Sequence, residues 1–132
     1  SEGNAIYLID DEKTISKKVM RAVTDAGPTE PNSEKPEPIQ NLFTLMEIVS
    51  APEVYQHFDG LYNDCAIRYG DMKKQLAADI NAFCSPIRER ILDIREDKEL
   101  LSRVARIGAE KARESAAKTI EEIRHIIGFR PR

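Results

Sequence analysis

Residues 71–95 read DMKKQLAADINAFCSPIRERILDIR, and apolar side chains recur along them at intervals of three or four. Such intervals match one turn of an α-helix, so the apolar side chains share one face and polar residues cover the other. The stretch predicts a long amphipathic helix that begins at Asp71 and bends at Pro86, where the proline cannot donate a backbone hydrogen bond. The repeating residues are Met72, Leu76, Ile80, Phe83, Ile87, Ile91 and Ile94.

A second long helix is predicted to begin at Asp97, and its apolar pattern continues on both sides of Gly108. Because glycine costs about 1 kcal/mol relative to alanine inside a helix, we expect a break or kink near Gly108. The chain ends with GFRPR at 128–132, which predicts a helix stop followed by a basic tail. The apolar residues are Leu100, Val104, Ile107, Ala112, Ala116, Ile120, Ile123 and Ile127.

Shorter helices are predicted upstream. The first spans 11–23, where Asp10 or Asp11 can accept hydrogen bonds from the free backbone N–H groups of its first turn. Its apolar stripe is predicted to comprise Ile15, Val19, Ala22 and Val23.

Four prolines in 24–38 then predict a loop, which we expect to be mobile. A helix at 39–49 is apolar around much of its circumference and should be the most buried element. Another is predicted at 52–62, preceded by Ser50 and Glu53 in the spacing of a capping box.

The composition agrees with an all-α fold. The chain has 132 residues, 41% apolar and 33% charged, with no tryptophan and no repeated alternating β-branched runs. We therefore predict a bundle of about five helices, led by a short extended N-terminal segment at 5–9. In domain terms, 1–10 is a linker and 11–132 is one helical domain.

No apolar run approaches the roughly 20 residues that span a bilayer, and no signal segment opens the chain. The sequence thus predicts a cytoplasmic protein without membrane contact. Cys65 and Cys84 are 19 residues apart and lack the close paired spacing of a zinc site, so two reduced, mostly buried thiols and no metal are expected.

Residues that could perform chemistry do not converge. His57 and His125 are expected to be ordinary half-buried or surface histidines, and the pair Asp10 and Asp11 has too few oxygens for a calcium site. There is no glycine-rich phosphate loop and no nucleophile elbow. By itself the chain is expected to catalyse nothing.

Several short stretches carry a family resemblance. Residues 1–4 read SEGN, 22–25 read AVTD and 38–42 read PIQNL, and a GAEKA phrase follows at 108–112. Together they resemble the region of class I aminoacyl-tRNA synthetases that begins at the last serine of the Lys-Met-Ser-Lys-Ser signature loop. The match is best with the tryptophanyl branch, although Pro38 stands where that branch often has glycine.

The resemblance implies a C-terminal piece of an ATP-dependent ligase whose catalytic nucleotide-binding fold is absent from this chain. In such enzymes the signature loop stabilises charge on the ATP phosphates. Its two lysines would precede Ser1, which leaves Ser1 as the one ATP-binding candidate here. ATP and Mg²⁺ are implied for the full-length enzyme and not for this piece alone. The implied partners are tRNA, the catalytic domain and, for the whole enzyme, a second copy in a homodimer.

The region after the loop in this family resembles an anticodon-binding domain. Residues 1–66 hold 12 acidic and 5 basic side chains, whereas 67–132 hold 11 and 15, so a polyanion should meet the second half. The tRNA-binding candidates are Arg103, Arg106, Lys111 and Arg113, because arginine planes can stack on unpaired bases. These cations could instead pair with nearby glutamates on a solvated face. Tyr62, Tyr69 and Phe129 are the possible stacking aromatics, and all lie outside the basic cluster.

Two alternatives remain open at this point. One is the equivalent region of a tyrosyl-tRNA synthetase, which shares the fold and signature loop. The other is a stand-alone helical interaction module, because amphipathic helices occur in many unrelated domains.

Overall fold

A computed structural model describes residues 5–129 and contains five α-helices there, with no strand in that range. The predicted all-α class and the number of helices are confirmed. None of the helices is long and apolar enough to cross a membrane within the described part of the chain. The helices are α1 (Glu12–Met20), α2 (Glu37–Val49), α3 (Pro52–Asn63), α4 (Tyr69–Glu96) and α5 (Lys98–Ile126).

The chain divides into two compact units, Ser1–Arg90 and Ile91–Arg132, and the boundary falls within α4. All the buried apolar residues described belong to the first unit. Helices α1 to α3 and the part of α4 up to Cys84 contribute them, with α2 supplying four and α4 five. The core consists of Ile15, Val19, Ile39, Leu42, Phe43, Met46, Phe58, Tyr62, Met72, Leu76, Ala77, Ile80 and Cys84.

Helix α1 is shorter than predicted. Asp11 caps it by accepting a hydrogen bond from the backbone N–H of Thr14 at 2.6 Å, and the helix ends at Met20. The predicted stripe member Val23 lies beyond the helix and is 73% exposed. Residues 5–10 form no strand but contain a turn, in which the Asp10 N–H donates to the Tyr7 carbonyl.

Helix α2 buries Ile39, Leu42, Phe43 and Met46, although Leu45 and Ile48, which were expected to be buried with them, are exposed. The predicted capping box before α3 is wrong. Ala51 occupies the cap position without a side-chain bond, and the Ser50 hydroxyl donates to the Asp79 carboxylate instead. That partner lies 29 residues away on α4, so a local pattern could not reveal it.

The proline-rich loop is held against α3 by contacts from three of its residues. The backbone N–H of Asn32 donates to the Asn63 carbonyl, and the Glu34 carbonyl accepts from the Tyr62 hydroxyl. Lys35 forms a 2.7 Å ion pair with an α3 carboxylate, that of Asp59. These contacts restrain a loop that the prolines predicted to be mobile.

Helix α4 continues through Pro86, as predicted. Its first half buries the expected apolar face, but Phe83 is 47% exposed and thus leaves the predicted stripe. The two cysteines differ: Cys84 on α4 is buried, whereas Cys65 is exposed in a turn at φ 55°, contrary to the expectation of two buried thiols.

Helix α5 begins as predicted, with the Asp97 carboxylate accepting from the Leu100 N–H at 2.8 Å. The expected break at Gly108 is wrong, because the helix continues to Ile126. Gly128 takes a positive φ of 73° and ends it in a Schellman arrangement, in which the Phe129 N–H donates to the Arg124 carbonyl. No residue of α5 is buried.

Candidate functional site

The segment that follows the signature-like residues is attached to the helical unit at Asp10. The Asp10 carboxylate accepts two hydrogen bonds on Oδ2, one from the Tyr7 N–H at 2.9 Å and one from Lys18 Nζ at 2.6 Å. Lys18 Nζ also lies 4.9 Å from the centroid of the Tyr7 ring. The hydrogen bond from Lys18, and then that from Tyr7, lower the pKa of Asp10, so this carboxylate stays ionised.

Arg88 on α4 adds a third connection by donating a guanidinium hydrogen bond to the Asp10 backbone carbonyl. The adjacent Asp11 has a different role, since its carboxylate caps α1 and its pKa is lowered by the hydrogen bonds from Thr14. The sequence alone leaves open which aspartate caps the helix. In the structure one caps, and the other joins the segment to α1.

The AVTD phrase at 22–25 is fixed by a lysine that sequence reasoning missed. Lys73 on α4 is 7% exposed, and its ammonium donates to the Ala22 carbonyl at 2.7 Å and to the Thr24 hydroxyl at 3.1 Å. The partners lie 51 and 49 residues before it. Lys73 follows the predicted core residue Met72 and precedes Lys74, which is solvent-exposed, so no local signal distinguishes the two lysines.

Tyr69 lies one turn before Lys73 on the same helix. Burial, and then the nearby Asp25 carboxylate, raise the pKa of the Tyr69 phenol, which therefore stays protonated at neutral pH. Both ends of the AVTD phrase thus face polar groups of α4. These contacts give the phrase a structural role in this unit.

The four tRNA-binding candidates all lie on α5 and are exposed. Within 5–129, no acidic side chain lies within ion-pair distance of any of them, although Lys118 on the same helix pairs with Glu114 at 3.4 Å. Because α5 is unbroken, Arg106 and Arg113 lie two turns apart, with their directions differing by about 20°. The four are Arg103, Arg106, Lys111 and Arg113.

The aromatic candidates differ in accessibility. Tyr62 is 1% exposed inside the core and cannot stack on a base, and Tyr69 is half-buried. Phe129 is 70% exposed and lines a cleft of about 380 Å³ at the end of α5 together with Arg124 and His125.

The remaining candidates carry no site. His57 and His125 are both exposed and lie in different units of the chain. Among residues 5–129, no group of three or more His, Cys, Asp or Glu side chains is placed to hold a metal ion. Ser1, the predicted ATP-binding residue, lies outside the described residues.

Comparison with known proteins decides the family. The model of the class I tRNA synthetases, W and Y, matches residues 1–85, which include the SEGN, AVTD and PIQNL motifs. The chain belongs to this class I synthetase family. The predicted resemblance is therefore confirmed, and a stand-alone interaction module is not favoured.

Similar proteins that match nearly all of the chain include two tryptophan–tRNA ligases. A tryptophan–tRNA ligase of Porphyromonas gingivalis is 72% identical over 130 residues, which cover 98% of this chain and 40% of that protein. Tryptophan–tRNA ligase 1 of Streptomyces coelicolor is 35% identical over 128 residues, covering 96% of this chain and 36% of that protein. The chain thus spans about two fifths of these relatives and corresponds to their C-terminal part.

The family match covers fewer helices than the alignment with the P. gingivalis ligase. The family match ends at residue 85, within α4, whereas the alignment with the P. gingivalis ligase extends over α5 as well. The basic residues of α5 therefore lie beyond the residues that the W and Y family model matches, in a region that aligns with the P. gingivalis tryptophan–tRNA ligase.

Proposed function

We propose that this chain is the C-terminal part of a tryptophan–tRNA ligase, which uses ATP to activate tryptophan and attaches it to tRNA. The 72% identity with the P. gingivalis ligase over 98% of this chain carries the proposal. The two relatives described above are both tryptophan–tRNA ligases, which favours tryptophan over the tyrosine alternative within the W and Y family.

The contribution of this part to ATP chemistry is the tail of the signature loop. Ser1 is the one signature position in the chain, and we assign it a hydrogen bond to an ATP phosphate in the intact enzyme. The two lysines that would stabilise charge on the phosphates precede it in the family pattern. ATP is bound with Mg²⁺ in such an enzyme, and we assign no Mg²⁺ ligand to this chain. The full-length enzyme would act as a cytoplasmic homodimer in protein synthesis.

The contribution to tRNA binding is the basic side of α5. Its four candidate cations are exposed and lack acidic partners among the described residues, so their charges are available to a polyanion. Arginine also offers a planar face and several N–H donors to unstacked bases. We assign α5 to the anticodon stem-loop on these grounds.

Aminoacylation by the full-length enzyme tests the reaction. With ATP and tRNA supplied, tryptophan should be attached and tyrosine should not, because a site built for one aromatic side chain leaves polar groups unpaired with the other. The measurement is incorporation of each radiolabelled amino acid into acid-precipitable tRNA. Preferential charging with tyrosine would refute the tryptophan assignment while leaving the family membership intact.

A paired substitution on α5 tests the tRNA role. In the full-length enzyme, Arg106→Gln with Arg113→Gln should raise the KM for tRNA, and the slope of log affinity against log salt should fall by roughly one for each phosphate that an arginine no longer neutralises. ATP–pyrophosphate exchange, which needs no tRNA, should be unchanged. The matched control is Lys118→Gln on the same helix, whose charge is already paired with Glu114. Equal losses in the control and the arginine variant would contradict a specific role for these two arginines.

A further inference from the structure

We propose that Tyr7, Asp10, Lys18 and Arg88, here called the Asp10 node, position the signature-loop tail for the ATP step. The four residues act as positioning residues, since none is assigned a contact with substrate. This proposal rests on the proposed function, because it names the device that holds one end of the loop in that enzyme.

The geometry of the node joins three parts of the first unit. The carboxylate of Asp10 binds Tyr7 within the N-terminal segment and Lys18 on α1, while its carbonyl accepts from Arg88 on α4. Arg88 lies 78 residues after Asp10, so this contact is tertiary. Asp10 thus links the N-terminal segment to two helices of the core unit, and Ile6 in the same segment also packs against the core.

The ion pair in the node is shielded from water. The side chains of Lys18 and Asp10 are 18% and 13% exposed, whereas those of the surface pair Lys118 and Glu114 are 73% and 72% exposed. Exposed pairs contribute little, because water screens them and their side chains lose entropy. The Asp10 carboxylate also accepts a backbone hydrogen bond from Tyr7, so its removal would take away the hydrogen-bonded link between the segment and α1.

The node lies close to the signature position along the chain. Ser1 precedes Tyr7 by only six residues in the sequence, so the node directly follows the signature tail along the chain. Holding Tyr7 against Lys18 therefore fixes the part of the chain that directly follows the loop tail. A positioning error of about 1 Å at a reacting group can cost about 100-fold in rate, so releasing this anchor should be visible in the ATP step.

The test uses the full-length enzyme with Asp10→Asn and, as its control, Asp59→Asn. Asp59 belongs to the other shielded ion pair, with Lys35 at 2.7 Å, and it anchors the proline-rich loop instead of the signature tail. Asp10→Asn should lower kcat for ATP–pyrophosphate exchange about 10- to 100-fold with little change in the KM for tryptophan. Asp59→Asn should leave kcat unchanged, even if it lowers the thermal unfolding temperature as much as Asp10→Asn does.

A conservative substitution and a structural readout complete the test. Lys18→Arg keeps the cation and should retain most of the exchange rate, whereas Lys18→Met should behave like Asp10→Asn. Amide hydrogen exchange at Tyr7, whose N–H is bound to Asp10, should accelerate in Asp10→Asn and not in Asp59→Asn. This readout does not depend on activity, so it separates failure of the node from failure of the proposed reaction. Unchanged kcat in Asp10→Asn, or an equal loss in Asp59→Asn, would overturn the proposal.

Discussion

At the scale of single residues, Lys73 illustrates how a charged side chain can belong to a core. Its stem is buried on α4 next to Met72, and its ammonium reaches the carbonyl and hydroxyl of the AVTD phrase. Burying the Lys73 ammonium without hydrogen-bond acceptors would cost several kcal/mol, so the two hydrogen bonds are needed to offset its removal from water. The neighbouring Lys74 shows the opposite case, with 73% exposure and a loose 3.8 Å pair with Asp71.

We predict different stabilities for substitutions at these adjacent lysines. Lys73→Met should lower the free energy of unfolding by about 1–3 kcal/mol, because the Ala22 carbonyl and Thr24 hydroxyl lose a charged donor. Lys74→Met should change it by less than about 1 kcal/mol, as is typical of exposed pairs. Urea denaturation of the two variants checks this. Equal stability of Lys73→Met and the parent chain would contradict the prediction and show that methionine packing compensates for the missing hydrogen bonds.

At the scale of elements, two helix starts are capped by the acidic residues that the local sequence offers, and a third is not. Asp11 and Asp97 cap α1 and α5 through the backbone N–H three residues later, as acidic residues at a helix start can. Ser50 was expected to do the same for α3, but Asp79 offers its hydroxyl a charged acceptor. Ser50 lies one residue before the cap position, which Ala51 occupies, so its hydroxyl is used in a charge-assisted tertiary hydrogen bond.

Helix α5 continues without a break through Gly108, although its apolar pattern changes face there. Its apolar residues before and after Gly108 predicted one stripe with a kink, yet the helix is unbroken. From Ile107 to Ala112 is five residues, or about 140° around a regular helix, so the two halves present different apolar faces. No atom crowds the position of a Cβ at Gly108, and the modest cost of one glycine does not interrupt the helix.

At the scale of the whole molecule, burial is distributed unequally between the two units. Every buried residue described lies in Ser1–Arg90, and α5 in Ile91–Arg132 has none. Helices in proteins are stabilised mainly by packing of an apolar face, and an isolated helix is only marginally stable in water. The second unit should therefore open more readily than the first.

Amide hydrogen exchange on this 132-residue chain tests that expectation. Opening free energies in α2 should approach that of global unfolding, about 5 kcal/mol or more, whereas those in α5 should stay below about 3 kcal/mol. The readout is residue-resolved exchange at neutral pH and low protein concentration, so that association of exposed apolar faces is limited. Protection in α5 equal to that in α2 would contradict an unequal distribution of stability.

The sequence by itself determined the all-α class, the starts of the helices to within two residues, the acidic residues at the starts of α1 and α5, and the synthetase family. These features depend on residues within one or two turns of each other, or on short motifs, so a linear pattern contains them. Only the tertiary structure decided that Lys73 holds the AVTD phrase, that Arg88 reaches Asp10, that Ser50 binds Asp79 and that Cys65 is exposed. The partners in these three hydrogen bonds are 29 to 78 residues apart. Side chains so distant in sequence meet only when the helices pack, because packing brings together faces that no local spacing relates.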